Sequence, residues 1–229
     1  MIVHHHPFLA PCRFARLVLA EHALEQELVV EPFWDERPQF VAVNPGMTLP
    51  MAFDGDRGPI CGAAVLMEYV DERYGDGRPG HRLMPADPFH RAEVRRLVNW
   101  FTQKFEDEVS GPIVTERILK LEIPNKKGGG APDSSALRIA RQNAVSHFHY
   151  IGSLAMSRNW LAGDQFTFAD LAAGAALSVV DYLGEAPWQA DPAVKAWYQK
   201  LKSRPSFRPL LSDKARLVAP APHYADLDF

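Results

Sequence analysis

The sequence has few cysteines, no long apolar run and no excess of positive charge. Two cysteines among 229 residues form no disulfide framework, and no leader with a basic region, apolar core and cleavage site is seen, so a reducing, cytoplasmic location is expected. No apolar stretch reaches the roughly 20 residues of a membrane-spanning helix, which predicts no membrane span. A formal net charge of −3 offers no broad basic face for nucleic acid.

The histidine run near the N-terminus, His4, His5 and His6, does not have the pattern of a metal site. These residues continue a strand-like segment, and successive residues of a strand point to opposite faces. Elsewhere the sequence contains neither H-E-x-x-H nor a Cys/His cluster. We therefore predict no bound metal.

Hydrophobic patterning divides the chain into a mixed region and a helical region. The first, residues 1–76, has a strand, a helix from about Cys12, a strand near residues 28–30, a strand pair around residues 51–60 and a helix from about Gly62. That order is typical of a thioredoxin-like domain. Glycines and prolines mark residues 77–88 as a linker, and the pattern then predicts an all-α helical bundle over residues 89–210 and a C-terminal tail, 211–229. The predicted fold class is α+β.

Three apolar stripes at helical spacing predict the core of the second domain. The segment FTFADLAAGAALSVVDYL adds a capping box, in which Thr167 and Asp170 satisfy the start of a helix that is apolar on all sides. We therefore expect Asp170 to be structural. The stripes contain Val94, Leu97, Val98, Phe101 and Phe105; Leu137, Ala140, Ala144, Phe148, Ile151 and Ala155; and Val194, Trp197 and Leu201.

Residues 44–74, NPGMTLPMAFDGDRGPICGAAVLMEYVDERY, resemble the glutathione S-transferase superfamily. The matching residues are Asn44, Pro45, Pro50, Tyr69, Glu72, Arg73 and Tyr74. HHPFLAPCRFARLVLAEHAL and FTFADLAAGAALSVVDYL are similar to two further segments of the family. The resemblance implies the glutathione S-transferase fold, with Pro50 in cis and the backbone of Leu49 available to pair with an extended peptide.

The departures from the family pattern fall on the ligand-facing side chains. Gly62 and Ala63 occupy the positions where the family keeps Glu and Ser, and Leu9 occupies that of the catalytic Ser or Cys. Hydrogen bonds to charged groups contribute about 1.5–3 kcal/mol each, so loss of two weakens glutathione binding by about 100-fold to 10,000-fold. We therefore expect a vestigial site, formed by Leu9, Leu49, Pro50, Gly62 and Ala63, with weak or absent glutathione binding and no catalytic residue.

The alternative is a glutathione-dependent transferase or isomerase that uses Cys12. This thiol lies near a helix N-terminus beside Arg13 and Arg16, which is an environment that lowers a thiol pKa. The competing interpretation is a packed structural thiol, since free cysteines are among the most buried residues.

The resemblance is more specific in two further segments, GGGAPDSSALRIARQN and the terminus PHYADLDF. Together with the departures described above, they indicate one subfamily. They are similar to a noncatalytic division subfamily, whose homodimers bind FtsZ filaments at the division site and influence filament curvature. The resemblance implies FtsZ as a partner and allows other division proteins. We expect a partner-binding patch beside the tail, with the candidates Asp226, Asp228, Phe229, Arg117, Lys120 and Trp188.

Overall fold

Four short strands form one mixed sheet in the N-terminal part of the chain. In this computed structural model, which describes residues 1–75 and 82–228, the strand order is β2-β1-β3-β4. β1 runs parallel to β2, while the β1–β3 and β3–β4 pairs are antiparallel. The predicted thioredoxin-like domain is confirmed. The strands are β1 (Ile2–His5), β2 (Glu27–Val30), β3 (Met51–Asp54) and β4 (Arg57–Cys61).

Two long helices cover the sheet, and a third, short helix was not predicted. α1 (Ala10–Glu21) buries most of its residues and packs against α3 (Ala63–Tyr74). The short α2 (Pro38–Val43) buries Phe40 alone, so it has no apolar repeat from which a helix is recognised. Part of the predicted linker, residues 77–81, lies outside the described residues.

The helical domain begins with helical backbone that runs from residue 88 to residue 122. The predicted stripe of its first half is buried throughout. Gly111 lies where a β-carbon would approach the Glu106 carbonyl oxygen to 2.6 Å, so the close turn there requires glycine. The segments are α4 (Pro88–Asn99), π-helical Trp100–Lys104 and Glu106–Ser110, α5 (Gly111–Val114), π-helical Thr115–Leu119 and α6 (Lys120–Glu122).

The remaining helices surround one central helix. α8 (Phe168–Tyr182) is buried at every residue, as its apolar sequence predicts, and it packs against α1, α4 and α9. The others are α7 (Ser134–Ser157), α9 (Pro192–Lys202) and the short α10 (Arg208–Leu211). Within the described residues, no helix combines the length and the apolarity that crossing a bilayer requires. The architecture is that of the predicted fold class.

A buried carboxylate organises the start of α8. Asp170 accepts hydrogen bonds from the backbone N–H groups of Thr167 (3.0 Å) and Leu161 (2.9 Å) and from the indole of Trp197 (3.1 Å). The Thr167 hydroxyl accepts from the N–H of Ala169 and completes the N-cap. One side chain therefore joins α8, the preceding loop and α9.

The tail folds back onto both domains. Asp213 pairs with Arg16 of α1, and the N–H of Ala221 donates to the carbonyl of Tyr182 over 2.7 Å. Tyr224 is buried, and its ring packs edge-on against Tyr182. The tail is therefore part of the packed structure as far as the described residues extend.

Replacing Asp170 by alanine will destabilise the protein more than removing an exposed cap. Because each buried donor left without a partner costs about 1–3 kcal/mol, we expect Asp170→Ala to lower the free energy of unfolding by at least about 3 kcal/mol. The matched control is Asp133→Ala at the exposed N-cap of α7, for which about 1 kcal/mol is expected. Urea denaturation measures both, and equal losses would contradict the assignment.

Candidate functional site

The turn before β3 has the geometry that the resemblance implies. The Leu49–Pro50 bond is cis, and the carbonyl of Pro50 accepts the N–H of Gly62 over 2.8 Å. The side-chain amide of Asn44 donates to the carbonyl of Thr48 and closes the turn. No hydrogen bond joins the backbone of Leu49 to another described residue. The structure therefore has the cis bond and the unpaired Leu49 backbone that the resemblance implies.

The start of α3 offers no side chain that can bind a ligand. Gly62 has φ of +92°, in the region that glycine adopts freely, and it makes no side-chain cap. Ala63 follows it and is buried. Only backbone N–H groups remain there, and these form at best a weak anion site.

Leu9 is the N-cap residue of α1 and gives no side-chain hydrogen bond. It packs against a small apolar cluster that contains Cys12, Phe40, Leu49 and Met51. The structure thus brings two of the vestigial positions, Leu9 and Leu49, together with the alternative nucleophile. What they share is an apolar contact, and an apolar side chain cannot stabilise a thiolate.

Cys12 lies at the centre of this cluster and is fully buried. Burial raises the pKa of its thiol to about 12, and the weak hydrogen bond from the N–H of His6 does not offset this. A thiol with this pKa is protonated at neutral pH, and the thiolate is the nucleophilic form. Burial therefore disfavours the thiolate that the alternative chemistry at Cys12 needs.

The two arginines beside Cys12 in sequence do not activate it. Arg13 is completely buried and donates to the Ser178 hydroxyl of α8 (2.9 Å) and to the hydroxyl of Tyr224 in the tail (2.9 Å). Arg16 donates to both carboxylate oxygens of Asp213 (2.7 and 3.1 Å). Of the two interpretations that the sequence left open, burial favours the packed thiol, because it raises the pKa of Cys12 by more than the charge of Arg16 lowers it.

A second buried polar cluster holds the end of the tail. Asp181 of α8 accepts from Tyr198 (3.1 Å) and Lys202 (3.4 Å) of α9, and it contacts His223 (2.9 Å). Lys202 also donates to the carbonyl of His223. Sequence reasoning missed this cluster, because its members lie up to 42 positions apart and no short motif connects them. The one sequence feature that pointed to this cluster was the presence of charged residues, such as Asp181 and Lys202, within otherwise apolar helices.

The tail candidates are placed differently from the helical ones. Asp226 and Asp228 are exposed, and the carboxylate of Asp226 accepts the N–H of Asp228. Phe229 lies outside the described residues. The two exposed aspartates therefore lie just after the segment that the buried Tyr224 holds in place.

The helical candidates are only partly accessible. Arg117 is half-buried and pairs with Glu185, and Lys120 pairs with Glu116 at 2.6 Å. Trp188 is buried, stacks on Tyr198 and meets Phe148 edge-on. The prediction that Trp188 makes a surface contact was wrong, because its ring is packed in the core.

Family models match both halves of the chain. The glutathione S-transferase N-terminal domain matches residues 11–73, and the glutathione S-transferase C-terminal domain matches residues 136–205. With the fold and the retained cis turn, these matches define the class. The chain belongs to the glutathione S-transferase superfamily.

One relative is similar over nearly the whole chain. FtsZ-localized protein A of Caulobacter vibrioides is 40% identical over 230 residues, which cover 99% of this chain and 97% of the relative. A solved structure described as FzlA from C. crescentus is 40% identical, with a TM-score of 0.89 over 100% of this chain and 99% of the other. A crystal structure described as a glutathione S-transferase from Sinorhizobium meliloti 1021 is 50% identical, with a TM-score of 0.97 and the same coverage.

The burial of Cys12 predicts a difference in thiol reactivity. At pH 8, iodoacetamide will alkylate the half-buried Cys61 of β4 faster than Cys12, by about tenfold or more. Burial raises the pKa of both thiols, but Cys12 is fully buried, with a pKa raised to about 12, and is inaccessible to the reagent. Mass spectrometry of tryptic peptides measures both sites. In guanidinium chloride the two rates will converge, and a reactive Cys12 in the folded protein would restore the enzyme alternative.

Proposed function

We propose that the protein is a noncatalytic, glutathione-S-transferase-like homodimer that binds FtsZ filaments in the cytoplasm at the division site and regulates cell division and filament curvature. The observation that carries this proposal is the similarity to FtsZ-localized protein A, which spans 99% of the chain rather than a shared domain alone. Fold alone does not assign a function within this superfamily. The proposal therefore rests both on the full-length similarity and on the residues at the positions of the glutathione site.

The site supports a role without glutathione chemistry. Leu9, Gly62 and Ala63 supply no donor or acceptor from a side chain, and Cys12 is buried and protonated. A transferase needs a positioned donor at the nucleophile, and a glutathione-binding protein needs polar groups for the γ-glutamyl end. The turn at Pro50 has a structural use without a ligand, because it connects β3 to the start of α3.

The tail is the proposed filament contact. Its anchor, Tyr224, donates to the carbonyl of Leu210 (3.0 Å) and accepts from Arg13 (2.9 Å), so the chain is fixed two residues before Asp226. Asp226 and Asp228 are then presented from a packed segment rather than from a free terminus. A preorganised contact loses less conformational entropy on binding than a disordered one does.

The helical domain contributes the second part of the proposed patch. Gly184 approaches Ala221 of the tail, and the next residue, Glu185, pairs with both Arg117 and Arg141. These contacts support a contribution from arginines near the tail, since arginine is enriched among residues that contribute most binding energy at interfaces. We propose that Arg117 and Lys120 lie at the edge of the filament contact and that Trp188 supports it from the core.

Dimerisation gives this patch its effect on filaments. Two copies related by a closed symmetry present two tails, and the second attachment to one filament then becomes intramolecular. A connector of this kind bridges neighbouring subunits and is able to bias their curvature. The same arrangement leaves other surfaces accessible to further division proteins.

Co-sedimentation with FtsZ polymers assembled with GTP tests the proposal. We expect saturable pelleting of the full chain, and deletion of residues 225–229 will weaken it by about tenfold or more, since hot-spot truncations commonly exceed 1.4 kcal/mol. The deletion leaves Tyr224 in place, so the thermal unfolding midpoint will change little.

Charge-reversal variants distinguish a specific contact by the tail aspartates from a nonspecific effect of negative surface charge. Asp226→Lys and Asp228→Lys will reduce pelleting, whereas Asp56→Lys in the exposed β3–β4 turn will not. Normal binding by the truncated chain would remove the tail from the interface. Absence of pelleting by the full chain would reject filament binding, and saturable glutathione binding by calorimetry would then favour the enzyme alternative.

A further inference from the structure

A pocket of about 600 Å³ lies between the start of α4 and the loop that joins α7 to α8. Ligand pockets commonly have volumes of roughly 300–1,000 Å³, so its size suits a bound side chain or small group. It shares no residue with the vestigial glutathione site or with the tail. The residues that matter for its chemistry are Asp87, Phe89, His90, Glu93, Arg158 and Asp164.

One wall of this pocket is an exposed aromatic ring. Phe89 is 80% exposed, the largest value for a large apolar side chain among the described residues. It is the second residue of α4 and lies off the buried stripe that begins at Val94, so packing does not require an aromatic there. A single exposed apolar residue is common on protein surfaces. Whether Phe89 belongs to a binding site therefore depends on the charged groups around it.

The pocket has an excess of negative charge. The charge of Glu93 is already matched, because its carboxylate pairs with Arg96 and Arg158 (both 2.8 Å), and hydrogen bonds from these two arginines hold its pKa at about 2. Asp87 and Asp164 are exposed, and no lysine or arginine of residues 1–75 and 82–228 lies within ion-pair distance of either carboxylate. The imidazole Nδ1 of His90 lies 3.3 Å from the Asp87 carboxylate, and the side-chain amide of Asn159 donates to Asp164 over 3.5 Å. Neither carboxylate is matched by a lysine or an arginine of the described residues, so both are available to a cationic ligand.

Helix dipoles do not reverse this preference. α4 and α8 both begin beside the pocket, and the positive end of a helix favours anions. Each end is already capped by a carboxylate: Asp87 accepts the N–H of His90 (2.9 Å), and Asp170 accepts the N–H of Thr167 (3.0 Å). The electrostatic potential in the pocket is therefore set mainly by the two exposed aspartates, and it favours a cation.

We propose that this pocket binds an arginine side chain from a peptide segment of a partner protein. The planar guanidinium lies over the face of Phe89 and donates hydrogen bonds to the carboxylate of Asp87 or Asp164. Arginine suits this arrangement better than lysine, because a planar guanidinium stacks on aromatic rings and pairs with carboxylates in a bidentate manner. The site is independent of the tail and does not rest on filament binding.

The probe is N-acetyl-arginine amide, in which both ends are blocked as they are in a peptide. Titration into the ¹⁵N-labelled full chain will give saturable amide shifts within residues 85–93 and 158–167. The neutral analogue N-acetyl-citrulline amide will bind at least about fivefold more weakly, because it keeps the shape and loses the charge. Phe89→Ala and Asp87→Asn will each weaken binding about two- to fivefold. Asparagine retains the N-cap at Asp87, so α4 stays intact.

The matched control is Met156→Ala, since Met156 of α7 is 77% exposed and does not line the pocket. Binding by this variant will equal that of the unmodified chain. The proposal is overturned if the arginine probe gives no saturable shifts, if citrulline binds equally, or if Phe89→Ala has no effect. Tighter binding of inorganic phosphate would indicate an anion site, and tighter binding of free arginine would indicate a metabolite site. Either result would reject the peptide ligand.

Discussion

The buried guanidinium of Arg13 is the contact on which the arrangement of the chain depends. It lies in α1 of the first domain, stacks over Phe8 and donates to the carbonyl of Pro7 (2.8 Å), the hydroxyl of Ser178 and the tail. A buried cation is stable only when its donors find partners, so its contacts form together. One side chain thereby connects the sheet domain, the central helix of the bundle and the C-terminal segment.

This constraint explains why the tail is ordered although it has little regular structure. Lys202 and Asp181 form a second buried pair under the tail, and His223 covers it. Without the tail, the hydroxyl of Tyr224 would leave Arg13, and His223 would leave Asp181. Unpaired buried charges are costly, so the folded tail stabilises the same groups that hold it in place. The tail and the domain interface thus form one structural unit.

The fold and much of its core could be predicted from local patterns, whereas the polar clusters could not. The stripe through Val94 and Phe105 and the capping box at Thr167 are short-range signals, and the family segments add the order of the strands. α2 is too short to show an apolar period. The contacts of Arg13 with Tyr224 join residues 211 positions apart, and no pattern in one sequence indicates such a pairing. Neighbouring residues instead suggested that Arg13 acts on Cys12.

The turn at Pro50 is tied to the start of α3 by a backbone hydrogen bond, while the side chains of Leu9 and Ala63 are apolar and Gly62 has none. The bonds from Gly62 to Pro50 and from Asn44 to Thr48 hold the turn before β3 and tie it to the start of α3, so they serve the domain whether or not glutathione binds. Ala63 is buried in the core, and Leu9 packs against the apolar cluster that contains Cys12, so both side chains contribute to packing. Asp226, Asp228 and Phe89 are exposed instead, and for this reason the contacts that we propose with partner proteins lie on these outer surfaces.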